Sequence, residues 1–331
     1  MHMADALVSA AVGGSFWALS GGALAGCSRR LRRDEDERRV PLMGVLGAFV
    51  FAVQMVNFAI PGTGSSGHLV GTLLLSALLG PPAAVLVMGS VLLVQALFFA
   101  DGGLLAFGCN LFNMGILPAL VAYPLVFRPL DRRGHPAAGA ILGAVAALQL
   151  GALAVVLETV LSGLTGLPFR PFLLAMLPIH LPIGLAEGLA TALLLRFLRR
   201  ARPELAAVRP EPAGRPLLAL VLGAAVLTAG MLSWAASSRP DGLEWSVSRV
   251  APAGADAPDG AVHRFAARLQ RRTSVLPEYA LPGTEPAGPA ASRRGTSLSG
   301  LLGGAATLGL VAGAGWLITR GRRILRARPE A

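Results

Sequence analysis

The chain opens Met1-His2-Met3, and a second histidine stands at His68 inside Gly64-Ser65-Ser66-Gly67-His68. A histidine at position two can chelate a metal together with its own N-terminus. The free α-amine, the deprotonated backbone nitrogen of residue 2 and the imidazole of His2 close fused rings around one ion. Three nitrogens then share a plane, and a distant imidazole such as His68 can supply a fourth. Four nitrogens in a plane suit Ni(II) or Cu(II), and low-spin Co(II) accepts them. The arrangement requires an unblocked N-terminus and retention of Met1, which the bulky His2 favours. The dipeptide alone carries little weight, because any residue can stand second.

Composition sets the class of protein that must hold these groups. Apolar residues make up 54% of the chain, mean hydropathy is +0.63 and only 14% of residues are charged. That is a polytopic, all-α membrane protein in a lipid bilayer, not a soluble domain. The net charge of +11 does not imply a nucleic-acid partner, since all 29 basic residues are arginines and most lie in short runs between apolar stretches. Cys27 and Cys109 lie in or beside apolar stretches and suggest neither a disulfide framework nor a thiolate site. No positive region precedes the first apolar segment, so it does not read as a cleaved signal peptide.

Nine apolar stretches are read as spans, near residues 6–27, 41–60, 68–80, 83–100, 104–127, 137–157, 178–198, 216–236 and 298–319. The third is short, and Gly80-Pro81-Pro82 separates it from the fourth. Arginine runs at Arg29–Arg39, Arg128–Arg133, Arg196–Arg215 and Arg320–Arg328 fall on one side of a nine-crossing chain. Positive residues stay cytoplasmic, which places the N-terminus outside, the C-terminus in the cytoplasm, and Met1, His2 and His68 at the outer face. The protein is expected in the plasma (inner) membrane. Residues 1–198 form a seven-span unit, 199–215 a cytoplasmic linker, and 216–331 a two-span hairpin around an outer loop, 237–297. That loop is polar and rich in proline and glycine, with a composition compatible with partial disorder.

Polar residues inside a membrane are costly and have partners or a function. Here they cluster near the outer half: Gln54 to Asn57, Ser66 beside His68, Gln95 to Asp101, and Asn110 with Asn113. Asn57, Ser66, Asp101, Asn110 and His180 are candidates for a polar pocket around the histidines. The bland alternative for each is a helix–helix hydrogen bond of about 1 kcal/mol or less. Asp5 is expected to cap the first helix rather than bind metal. His135 and His263 lack ligand spacing.

Together these motifs resemble the substrate-binding membrane component of energy-coupling-factor (ECF) transporters for cobalt or nickel, the CbiM/NikM type. The likeness lies in Met1-His2, Gln54-Met55-Val56-Asn57-Phe58, Gly64-Ser65-Ser66-Gly67-His68-Leu69, Gln95 through Gly103, Asn110-Leu111-Phe112-Asn113, and His180 through Gly188. It covers about residues 1–198. Pro240-Asp241-Gly242-Leu243-Glu244-Trp245 is similar to the small accessory component of these transporters, the CbiN/NikN or PDGLE type, here fused at the C-terminal end. The resemblance implies Co(2+) or Ni(2+) as the transported substrate, bound in a square plane by the Met1 amine, the His2 amide and imidazole nitrogens, and His68. It also implies separate ATP-binding subunits and a transmembrane coupling subunit, consistent with the absence of a Gly-x-x-x-x-Gly-Lys loop. Many members continue the opening as Met-His-Ile-Pro-Asp-Gly where this chain has Met1-His2-Met3-Ala4-Asp5-Ala6; the chelating atoms are unaffected.

Two other readings stand beside this one. Gly64-Ser65-Ser66-Gly67 matches the Gly-x-Ser-Gly pattern of rhomboid intramembrane proteases, with Ser66 as nucleophile and His180 as base. The other is a membrane scaffold that binds nothing.

Overall fold

The computed structural model describes residues 1–33, 40–201, 214–251, 260–281 and 289–326. Arg38, Arg39, Arg202, Arg209, Arg328 and most of the 199–215 linker lie outside the described residues. The chain is a helical bundle. The first unit holds α1 (Ala10–Arg33), α2 (Val40–Gln54), α3 (Thr72–Leu79), α4 (Pro81–Phe98), α5 (Phe107–Arg132), α6 (Pro136–Ser162) and α7 (Phe169–Ala201). The second holds α8 (Arg215–Gly230), α9 (Gly242–Val250), α10 (Ala261–Thr273) and α11 (Pro289–Arg326).

Among the described residues six helices are long and apolar enough to cross a bilayer: α1, α4, α5, α6, α7 and α11. Helices α2 and α8, of 15 and 16 residues, are apolar but shorter. The stretch read as a third span is different. Its helical part has eight residues, about 12 Å at the usual rise, and residues 66–71 before it are strand and coil. His68 therefore sits on a loop between α2 and α3. The seventh stretch is longer than expected, because α7 runs through Pro178 and Pro182 instead of starting there. A proline costs one backbone bond in a helix interior, which tertiary packing here sustains.

Small residues bring the helices together. A Cβ at Gly184 would stand 2.9 Å from Val145 Cα, and one at Gly188 would stand 2.4 Å from Ile141 Cα. The α6 and α7 backbones thus touch where glycine allows, the usual device of membrane helix pairs. The hairpin packs on the first unit: a Cβ at Gly303 of α11 would collide with the ring of Phe51 of α2. The described parts of the 237–297 loop are ordered into α9 and α10, and α11 begins within it. Asp241 starts α9 with a capping box: its side chain accepts from the Leu243 and Glu244 amides, and Glu244 accepts from the Asp241 amide.

The arginine-bearing ends of α1, α5 and α7 carry Arg30, Arg32, Arg33, Arg132, Arg199 and Arg200. Arg199 of α7 pairs with Asp131 of α5 at 2.8 Å. Met1, His2, His68, Asp101, Asp241 and Tyr279 meet elsewhere, around the stretch that precedes α5 and the middle of α7.

Candidate metal centre

The N-terminal segment threads into the bundle. Asn110 of α5 grips the Met3 backbone from both sides: its Oδ1 accepts from the Met3 amide at 2.7 Å and its Nδ2 donates to the Met3 carbonyl at 3.1 Å. The Gly103 amide donates to that carbonyl as well, at 2.8 Å. Asp5 does not cap its own helix. Its carboxylate accepts from the Ala106 amide at 3.0 Å, in the turn that leads into α5. The sequence favoured α1 because it is next along the chain, but the segment folds back against residues 103–106. Gly103 is required there, since a Cβ would lie 1.8 Å from Asp5 Oδ1.

The His68 loop is held from three directions. Phe58–Ala59 pairs antiparallel with Ser66–Gly67. The Ser66 amide donates to the Pro240 carbonyl at 2.8 Å, and its hydroxyl donates to the Arg239 carbonyl at 2.7 Å. Buried Glu187 of α7 receives the Val70 and Gly71 amides, one on each oxygen, at 2.8 and 3.0 Å. Gly71 has φ of +82°, which glycine adopts freely.

These supports set two imidazoles face to face. The His2 and His68 rings stack with centroids 5.1 Å apart and planes 30° from parallel. His2 Nε2 lies 3.1 Å from Gln95 Oε1. His2 Nδ1 faces Asp101 Oδ1 at 3.6 Å, too long for a hydrogen bond. Burial, the Met1 ammonium and His2 lower the pKa of His68 to about 3, so its ring is neutral at pH 7 and its lone pair is free. The two histidines open onto a cavity of about 630 Å³, lined also by Asn57, Asp101, Asp241 and Tyr279. Tyr279 donates to Asp101 Oδ2 at 2.5 Å. Glu278 and Tyr279 both adopt positive φ, a strained pair that turns the chain over the cavity.

The Met1 amine is bound from an unexpected quarter. It donates to Asp241 Oδ2 at 2.9 Å. Burial alone would raise the Asp241 pKa, but the Met1 ammonium and the helix-cap amides hold the carboxyl below its ordinary range. Asp241 reaches inward from the start of α9.

The remaining candidates lie around this cavity as follows. The Asn57 carbonyl accepts from the Ser237 amide at 2.7 Å, and its buried Oδ1 has no partner among the described residues. His180 is buried, with Nδ1 2.7 Å from the Met176 carbonyl and Nε2 unpartnered among the described residues. A Cβ at Gly242 would lie 3.1 Å from that Nε2, so His180 forms the floor on which the Asp241-Gly242 turn rests. Ser66 gives its proton to the Arg239 carbonyl, and no Ser66–His180 dyad forms. His135 precedes α6 and is exposed, and His263 of α10 lies 2.9 Å from the Val8 carbonyl.

The sequence reading named neither Gln54, Gln95, Glu187, Asp241 nor Tyr279 as a site residue. Gln54 and Gln95 stood out only as members of polar clusters in apolar stretches, and Glu187 and Asp241 only inside quoted motifs. Tyr279 carried none.

Fold and site define a multi-pass membrane protein with a nitrogen-rich polar site at one end of its bundle. Residues 2–205 match the family described as the cobalt uptake substrate-specific transmembrane region, and residues 215–320 match the PDGLE domain. The chain belongs to that cobalt-uptake family, with a PDGLE domain fused behind it, and is a metal-transport component. It is 32% identical over 324 residues to the putative fused nickel transport protein NikMN of Archaeoglobus fulgidus, covering 97% of this chain and 98% of that one. It is 35% identical over 320 residues to the fused nickel transport protein NikMN of Rhodobacter capsulatus, covering 86% and 89%. A solved structure, a truncated transition metal transporter, aligns with a TM-score of 0.54 at 28% identity, covering 61% of this chain and 99% of that one.

Proposed function

We propose that the chain is the substrate-specific membrane component of an ECF-type ABC importer for divalent cobalt or nickel. In this reading it sits in the plasma membrane with its N-terminus outside. The Met1 amine, the His2 amide and imidazole nitrogens and His68 bind the ion in a plane. Separate ATP-binding subunits and a transmembrane coupling subunit supply the energy. The observation that carries the reading is the stacked His2–His68 pair with the Met1 amine bonded to Asp241, a residue of the same cavity wall. Two stacked imidazoles and an amine are a poor structural motif but a good ligand set. Binding weakens as protons compete for these nitrogens.

The PDGLE hairpin is proposed to act on metal loading. Asp241 occupies the amine that the ion must take, and the 239–241 turn pins the His68 loop, so movement of the hairpin would open both ligands together. Metal analysis of protein purified with an untagged N-terminus tests the reading: one Ni(II) or Co(II) per chain supports it, and a metal-free protein under saturating metal refutes it. Ser66→Ala should leave that stoichiometry intact.

A further inference from the structure

The two buried glutamines, Gln54 at the end of α2 and Gln95 near the end of α4, form a relay whose direction can be read from its ends. Gln54 Nε2 lies 2.7 Å from the Val70 carbonyl and 3.7 Å from Met88 Sδ, both acceptors only. Its amide nitrogen must face them, so its Oε1 faces Gln95. That oxygen accepts from Gln95 Nε2 at 2.7 Å. That bond turns the Gln95 nitrogen away from His2 and leaves its Oε1 pointing at His2 Nε2, 3.1 Å away.

An amide oxygen accepts and cannot donate. In its neutral form the His2 ring therefore carries its proton on Nε2 and its lone pair on Nδ1. Nδ1 is the ring nitrogen that can close a chelate ring with the backbone nitrogen of its own residue. It faces the cavity side, toward Asp101. The far end of the relay is the Val70 carbonyl, two residues beyond His68. One chain of hydrogen bonds thus orients the first imidazole and ties it to the loop that carries the second.

We infer that Gln54 and Gln95 are positioning residues for the metal site: they fix the tautomer and ring angle of His2 and its spacing from His68. The inference deepens the proposed function and rests on His2 as a ligand. Groups behind a metal-binding histidine are worth about 10-fold to 100-fold in affinity, and these two are placed to act that way.

The test uses the full chain in lipid nanodiscs with 15N-labelled histidine, the His2 signal being assigned by its loss in His2→Ala. Metal-free protein at neutral pH should show His2 protonated at Nε2. Gln95→Leu should mix the tautomers, shift the Ni(II) absorption band and weaken Ni(II) binding about 10-fold to 100-fold. Gln95→Glu keeps an acceptor opposite Nε2 and should restore both tautomer and band. Gln54→Leu should weaken binding in the same direction. A wild-type His2 protonated at Nδ1, or a folded Gln95→Leu protein with wild-type affinity and band, would overturn the inference. If Gln95→Leu fails to fold, the wild-type tautomer and the Gln95→Glu band decide. Failure of the proposed function looks different: a correctly protonated His2 on a chain that takes up no Ni(II) removes the relay's role together with the metal site.

Discussion

The amine of Met1 and the carboxylate of Asp241 stand 2.9 Å apart although 240 positions separate them in the chain. The amine belongs to the proposed chelate, and the carboxylate opens the PDGLE helix. The ammonium must lose a proton before its lone pair can reach the ion, and the ion pair with Asp241 opposes that loss. Asp241→Asn should keep the helix cap, since asparagine caps as well as aspartate, while removing the charged competitor. A charge-assisted bond contributes about 1.5–3 kcal/mol, so Ni(II) or Co(II) affinity should tighten about tenfold or more in calorimetry, with slower transport. Weaker binding by Asp241→Asn would assign the carboxylate to the metal-bound state.

Glu187 receives two loop amides at once. Glu187→Ala leaves both buried donors unpaired beside His68 and should cost about 2 kcal/mol in detergent-solubilised protein, with a marked loss of metal affinity. Glu187→Gln keeps an acceptor oxygen and should fall between. Unchanged thermal unfolding and metal affinity in Glu187→Ala would leave the contact without consequence.

The pH response of the metal-free protein follows from two depressed groups. The folded pKa of His68 is about 3, against an ordinary 6.5, first through burial and then through the Met1 ammonium and His2. Between those values the unfolded chain binds more protons, so stability falls as pH drops through that window. Asp241 acts in the same sense: its folded pKa lies below the ordinary 3.8, and its contribution is lost at still lower pH. Asp5, raised first by burial, opposes them weakly near pH 4. The midpoint of thermal unfolding should decline from pH 6.5 toward pH 4, and His68→Ala should flatten that decline. A flat wild-type profile would count against a buried neutral His68.

Much of the site was legible because polar residues are rare in an apolar chain. His68, Asp101 and Asn110 stood out on that ground and His2 by its place next to the terminus, and all four line or brace one cavity. What stayed hidden depends on contacts across long separations. Asp5 was assigned to the nearest helix because caps are usually local, yet its segment turns back onto residues 103–106. Asp241 and Tyr279 come from a polar loop whose composition suggested disorder, and nothing local announces that Tyr279 reaches Asp101. The seventh apolar stretch was read from residue 178, yet packing against α6 carries α7 through Pro178 and Pro182 from Phe169. His68 was set at the head of a span because Leu69 and Val70 are apolar, although Gly71 at positive φ delays the helix to Thr72.

The hairpin should matter more to delivery than to equilibrium binding. A chain ending near Arg200 retains Met1, His2, His68 and the glutamine relay. It should bind Ni(II) or Co(II) in detergent yet support little uptake with its ATP-binding and coupling subunits. Full uptake by that chain would reduce α8 to α11 to an anchor, and loss of binding would place a ligand in them.

The most direct measurement compares metal content in two forms of the same chain, one with the native Met1-His2 terminus and one extended by a few residues before Met1. Extension converts the amine to an amide and leaves every side chain in place. The native form should hold one Ni(II) or Co(II) per chain, and the extended form, folded by the same thermal-unfolding criterion, should hold none, as should His2→Ala and His68→Ala, while His135→Ala should match wild type. Stoichiometric metal on the extended chain would contradict binding through the N-terminus.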